Sequence, residues 1–334
     1  MLEHGGRLLR AARQYGIDAT QWLDLSTGIN PDGWPVPDIP AAVWRRLPDD
    51  DDPLETVAAA YYGAPRVLAV AGSQAAIQAL PRLRRRSRVG VIAPGYAEHA
   101  HGWSRAGHDV LRCPAQDLFE SAHRFDVVVL IHPNNPGGET FDRNALLHLH
   151  QTLAMRGGWL VVDEAFMDMS PDVSLAPDTD REGLVVLRSP GKFFGLAGAR
   201  AGFVAATAFL LAQLRVELGP WTVAAPTRWL LRQALEDKAW QDAARDRLQR
   251  DGARLTQLLG EHGLPPDGGT ALFQWIRTPY SREIHEQLAR MGILTRLFDE
   301  PPSLRFGLPG DDAGWHRLGT ALAQLPQTLR SPCA

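Results

Sequence analysis

Only two lysines, Lys192 and Lys238, stand among the 35 basic side chains; the rest are arginines. Lys238 lies in LEDKAWQDAARDR, which reads as an exposed helix face. Lys192 lies in VVLRSPGKFFGLAGARAGFV, a glycine-rich turn after an apolar run, where an ammonium is costly unless it has a task. A primary amine forms a Schiff base with a carbonyl, which a guanidinium does not. Other reactive groups follow apolar runs in the same way: Gly72, Ser73 and Gln74 after VLAVA, Tyr96 after VGVIAPG, Asn135 after DVVVLIHPN, Asp163 in WLVVDEAF, and Ser189 and Arg200 around Lys192. A carboxylate can keep a ring nitrogen protonated, and an amide can donate to a ring oxygen. Hydroxyl, guanidinium and helix-start N–H groups can clasp a phosphate, and a tyrosine can stack on a ring.

Positioning such groups requires an alternation of strands and helices. Strands are predicted at Val67–Ala71, Val89–Ala93, Asp109–Arg112, Asp126–Pro133, Trp159–Phe166 and Leu184–Ser189, with helices such as 53–62 and Arg143–Met155 between them. Apolar, β-branched strands in this rhythm imply an α/β fold with a mostly parallel sheet covered on both faces. Ligands of such sheets bind beyond the strand C-termini, where Gly72–Gln74, Tyr96, Asn135, Asp163 and Ser189–Lys192 all fall. After residue 225 the texture changes. A long polar helix over 225–261, broken near Lys238, leads to strand-like Ala271–Thr278 and Ser303–Pro309, with the helix Ser281–Met291 between them. Gly292–Arg296 reads as a short edge strand, and Trp315–Leu329 as a closing helix. The expectation is a large domain over 41–224 and a smaller α+β domain built from 1–40 and 225–334.

The 334 residues are 45% hydrophobic and 22% charged, as in an ordinary globular enzyme. A formal net charge of −3 argues against a nucleic-acid binder, and the basic run at Arg82–Arg86 reads as a solvated helix end. Cys113 and Cys333 have no zinc-ligand spacing, and the pairs His99/His101 and His148/His150 read as surface histidines, so no metal is expected. No signal sequence and no apolar run of membrane-spanning length is read, which makes a cytoplasmic protein without a membrane partner the expectation.

Pyridoxal 5'-phosphate is a cofactor that needs this whole set of groups. The spaced motifs PNNPGG, VVDEAF and SPGKFFGLAGARAGF resemble the fold-type-I pyridoxal-phosphate enzymes, close to histidinol-phosphate aminotransferase. Within that group, Glu3–His4–Gly5–Gly6 and DLSTGINPDG are similar to the L-threonine-O-3-phosphate decarboxylases of cobalamin biosynthesis. The resemblance runs from residue 4 to about residue 325. It implies Lys192 as the Schiff-base lysine, Asp163 as the partner of the ring nitrogen, and Asn135 at the ring hydroxyl and the substrate. It also places Ser189, Arg200, Gly72, Ser73 and Gln74 at the cofactor phosphate and Tyr96 on the ring. Arg305 would grip the substrate carboxylate, while Arg296, Asn30 and His4 would meet its phosphate.

Phe166 stands where aminotransferases of the group carry a tyrosine, and the decarboxylases also show phenylalanine there. Leu47 replaces a tyrosine that many relatives supply across a dimer. The implied activity is decarboxylation of a small phosphorylated amino acid by a homodimer. The alternatives are a histidinol-phosphate-type aminotransferase and a non-catalytic binding module of the same fold.

Overall fold

The computed structural model describes residues 4–330, so Cys333 and Glu3 lie outside the described residues. Two compact units divide the chain: 34–135 with 139–241, and 1–33 with 136–138 and 242–334.

In the larger unit a seven-stranded sheet runs in spatial order Val67–Val70, Gly202–Ala205, Leu184–Arg188, Trp159–Asp163, Val127–Ile131, Arg88–Ile92 and Asp109–Cys113. Five neighbouring strands pair in parallel, from Leu184–Arg188 across to Asp109–Cys113. Gly202–Ala205 runs antiparallel to both of its neighbours. The chain returns to it from Arg188 through the short helix Pro190–Phe193 and a 3-10 turn, without the long helix that a parallel crossover needs. The strands Val127–Ile131 and Leu184–Arg188 are buried throughout, whereas the edge strand Asp109–Cys113 is mostly exposed, as its Asp109 and Arg112 require. Leu68, Val70, Ile77, Trp103, Val129, Val161 and Leu187 share the core on one face.

The helix Ala225–Glu236 packs in this unit, although the sequence reading gave it to the smaller domain. Buried Arg228 in that helix forks onto Asp52 at 2.9 and 2.6 Å, which ties the helix to the larger unit. Asp237 separates it from the helix Lys238–Glu261, the break expected near Lys238.

In the smaller unit, Leu23–Asp24 pairs in parallel with Ile293–Leu294. A separate antiparallel sheet has the order Arg296–Phe298, Ser303–Gly307, Phe273–Arg277 and Gly268–Thr270. The single edge strand expected at Gly292–Arg296 is therefore two short strands in two sheets, parted at Thr295. The helices Ser281–Arg290 and Asp312–Gln324 belong to this unit as well, the latter capped by Asp311 donating no proton but accepting from Gly314 N–H. No helix among the described residues is long and apolar enough to cross a membrane.

Candidate active site

A cavity of about 140 Å³ opens in the larger unit at the C-terminal ends of the parallel strands. Gly72, Ser73, Gln74, Tyr96, Asn135, Asp163, Ser189, Lys192 and Arg200 all line it, together with Phe166. Nine residues drawn from six segments of the sequence therefore meet at one place.

The wall formed by Gly72 and Ser73 is a tight cradle. Gly72 has φ 75°, a left-handed conformation open to glycine, and ends the strand so that Ser73 starts the helix Ser73–Ala79. The first N–H groups of a helix have no intrahelical acceptor, so this wall presents donors. A Cβ on Gly72 would lie 2.8 Å from the Arg200 guanidinium, which is how closely that cation covers the turn. Arg200 itself is a non-glycine residue at φ 51°, a conformation that costs roughly 1–2 kcal/mol. Its Nη1 donates to the Ala197 carbonyl at 3.2 Å. Gly202 closes the cradle from behind, since a Cβ there would stand 2.5 Å from the Ser73 nitrogen.

At the opposite wall, Asp163 ends its strand as a buried carboxylate. Its Oδ2 lies 2.8 Å from His99 Nε2, and its Oδ1 accepts from Ala165 N–H at 3.1 Å. His99 is 1% exposed, which corrects the expectation of a surface histidine; only His101 of that pair is exposed. His150 is buried as well, 2.9 Å from the Glu182 carbonyl, while His148 is exposed. The role of His99 was hidden in the sequence because its partner is Asp163, 64 residues away. The one available signal was spacing: His99 follows Tyr96 by three residues, which puts both on one side of the turn. Their rings meet edge to face at 6.2 Å. Tyr96 Oη donates to Gln74 Oε1 at 3.3 Å, and the Gln74 amide donates to Glu98 at 2.8 Å.

Between these walls sits Lys192, half-buried on the helix Pro190–Phe193, its Nζ 5.9 Å from the centre of the Phe166 ring. Among the described residues, no other primary amine lines the cavity. An amine, a histidine-backed carboxylate, an amide and a cradle of anion donors can together hold a phosphorylated aromatic aldehyde at four points.

The remaining expected site residues belong to the smaller unit. His4 and Arg296 line one cavity there, of about 340 Å³, with Arg7, Arg10, Arg282 and His285. His285 Nδ1 lies 2.8 Å from Thr295 Oγ1, and burial holds its ring below the usual imidazole range. Arg305 is buried and sits directly opposite Arg296 in the antiparallel ladder. Its guanidinium donates to the Ser26 carbonyl at 2.9 Å and lies over the Phe273 ring at 4.9 Å. Burial, reinforced by the charge of Arg296, lowers it to about 9. Like charges directly opposite in a sheet repel, so the pair favours an anion. Asn30 is placed elsewhere, lining a different hollow with Asp32, Arg247 and Asp251. Its Oδ1 accepts from Asp32 N–H at 3.1 Å and from Arg247 at 3.3 Å. Among the described residues, no group of three His, Cys, Asp or Glu side chains is placed to hold a metal.

Comparison with known proteins gives a consistent picture. The family model for aminotransferase class I and II matches residues 45–321. The chain is 54% identical to a threonine-phosphate decarboxylase of Pseudomonas aeruginosa over 96% of this chain and 97% of that one. It is 41% identical to a threonine-phosphate decarboxylase of a Sinorhizobium species, over 96% and 98% of the two chains. Among solved structures, the histidinol-phosphate aminotransferase of Clostridium acetobutylicum superimposes with a TM-score of 0.79 at 20% identity, over 90% of this chain and 98% of that one, a likeness of fold.

Proposed function

The chain belongs to the aminotransferase class I and II family, and from that premise we propose that it decarboxylates L-threonine O-3-phosphate to (R)-1-amino-2-propanol O-2-phosphate. Its cofactor is pyridoxal 5'-phosphate, and its place is the aminopropanol arm of cobalamin biosynthesis. The observation that carries this reading is the 54% identity, across nearly the whole of both chains, with a threonine-phosphate decarboxylase.

The cavity fits the cofactor on three counts. Among the described residues, Lys192 is the only primary amine in its lining; Asp163 is buried and backed by His99, and the Gly72–Ser73 cradle would be filled by a single added Cβ. When bound, pyridoxal phosphate supplies an electron-accepting ring for the electrons of a bond broken at the substrate's Cα.

The chain's own residues do the rest. Lys192 would hold the cofactor through its Nζ, and the same amine would return a proton to the substrate's Cα. Asp163 keeps a proton on the ring nitrogen, and His99 fixes the carboxylate that does so. Asn135 donates to the ring oxygen, and Tyr96 covers the ring. Ser189, Arg200 and the N–H groups of Ser73 and Gln74 take the cofactor's phosphate. Arg305 binds the substrate carboxylate by a guanidinium fork, and Arg296 binds its phosphate together with His4, whereas Asn30, in a separate hollow, is left out of the site. Anchoring at the phosphate end selects which bond at Cα is presented for cleavage, and CO2 leaves while a proton takes its place.

Phe166 supports decarboxylation over amino transfer, because its buried ring, 5.9 Å from Lys192 Nζ, carries no hydroxyl for the ring oxygen. A homodimer working in the cytoplasm belongs to the same reading. The exposed apolar side chains Val36, Trp44 and Leu47 in one segment of the larger unit support a second copy covering them. The test is Lys192→Ala: CO2 release from L-threonine phosphate should vanish, and substantial residual release would remove Lys192 from its role.

A further inference from the structure

Behind the cavity wall lies an ionic cluster that the reaction described above does not use. Asp163 and Glu164 are successive residues at the end of one strand, so one side chain faces the cavity and the other faces away. Arg188 and Ser189 repeat this arrangement at the end of the neighbouring strand. The two strands pair in parallel as far as Asp163 opposite Leu187, and the last ladder bond runs from Glu164 N–H to the Leu187 carbonyl at 2.8 Å. Where that ladder ends, side chains take over. Arg188 Nη1 donates to Glu164 Oε2 at 2.8 Å, and its Nη2 donates to Asp168 Oδ1 at 3.0 Å. Glu164 also accepts from Ser174 Oγ at 2.5 Å and from Leu175 N–H at 2.8 Å.

The helix Leu54–Tyr62 closes the cluster from below. Tyr61 Oη donates to Asp168 at 3.0 Å, and the Arg188 guanidinium lies 4.4 Å from the centre of the Tyr62 ring. Arg188, Glu164 and Asp168 are each at most 2% exposed. Burial works against the Arg188 charge, but Asp168 and Glu164 outweigh it and hold the proton more tightly than usual. Burial pushes Glu164 upward, opposed by Arg188 and its hydrogen bonds.

A buried ion pair gives little net stability compared with an apolar replacement. What it gives here is geometry. The segments that leave the cluster carry Asp163, Ala165 and Phe166 at and beyond the end of one strand, and Ser189, Gly191 and Lys192 beyond the end of the other. We propose that Arg188 is a positioning residue: through Glu164 and Asp168 it fixes the distance between the Lys192 amine and the Asp163 carboxylate. This rests on the reading of Lys192 and Asp163 as cofactor-holding groups.

The test compares Arg188→Met, Arg188→Lys and the wild type, first as apoproteins taking up pyridoxal phosphate and then as loaded enzymes. If the geometry is loosened, kcat falls by about tenfold or more while KM stays within about threefold, since small misplacements of reacting groups are costly. The absorbance of the lysine-bound cofactor should titrate with a midpoint displaced from the wild type, and Arg188→Lys should recover part of both changes. A folded Arg188→Met enzyme with wild-type kcat and titration midpoint would overturn the proposal. If Arg188→Met does not fold, Asp168→Asn and Tyr61→Phe decide: the same displacement in smaller measure is expected, and wild-type values in both would overturn it. Because midpoint and cofactor uptake do not depend on which substrate is used, failure here is distinct from wild-type protein that releases no CO2.

Discussion

Gly202→Ala isolates the cradle at the Gly72–Ser73 turn. The added Cβ would lie 2.5 Å from the Ser73 nitrogen, 2.9 Å from the Gly72 carbonyl carbon and 3.1 Å from the Arg188 oxygen. All three are backbone atoms, so no side chain can rotate away. The closest approach is about 0.9 Å inside the 3.4 Å at which ordinary contact begins, and either the strand Gly202–Ala205 or the turn must shift by nearly that amount. Overpacking of this kind costs about 1–3 kcal/mol. If the turn yields, the cost falls on the groups proposed to take the cofactor's phosphate, and cofactor affinity drops by roughly five- to 150-fold at tenfold per 1.4 kcal/mol. Gly198→Ala is the control, because a Cβ there meets nothing within 4 Å although it lies in the 3-10 turn just before the strand Gly202–Ala205. The assay is titration of apoprotein with pyridoxal phosphate, followed by absorbance. A Gly202→Ala protein that binds as tightly as Gly198→Ala and the wild type would refute the reasoning.

Two further outcomes are expected. Burial lowers His132 to about 4 from 6.5, so between those values the folded state binds fewer protons than the unfolded chain, and stability falls as the pH falls. The loss reaches about 3 kcal/mol at pH 4; His132→Asn, which can still accept from Phe141 N–H, should flatten that slope in chemical denaturation, and an unchanged slope would contradict the assignment. Arg305→Lys removes the fork while keeping the charge, and should raise KM for L-threonine phosphate by roughly 30-fold, about 2 kcal/mol for a charged hydrogen bond. Steady-state kinetics showing an unchanged KM would take Arg305 out of substrate binding.

Much of the larger unit was readable from pattern alone. Runs such as DVVVLIHP and WLVVDEAF consist largely of buried-strand residues; the first leads within two residues to Asn135 and the second carries Asp163, and both of these line the cavity. Strand direction was not readable in this way. Nothing in AGFV distinguishes an antiparallel strand from the tail of a turn until its neighbours at Val67–Val70 and Leu184–Arg188 are known. His99 and Arg188 were misread or passed over for a related reason, since the groups that stabilise them lie far off in sequence. Arg188 did leave a trace: a charged residue inside an apolar strand implies a buried counter-charge. Gly292–Arg296 misled because periodicity cannot show that Ile293 and Arg296 join different sheets. Asn30 sits in a motif whose resemblance is clear, yet its side chain oxygen is held by Arg247, a contact no local pattern announces.

The central claim is tested most directly by incubating purified protein, loaded with pyridoxal phosphate, with L-threonine O-3-phosphate and no 2-oxo acid, and measuring CO2. The account predicts CO2 release together with 1-amino-2-propanol phosphate, lost in Lys192→Ala. No release, with amino transfer from histidinol phosphate once 2-oxoglutarate is added, would contradict it.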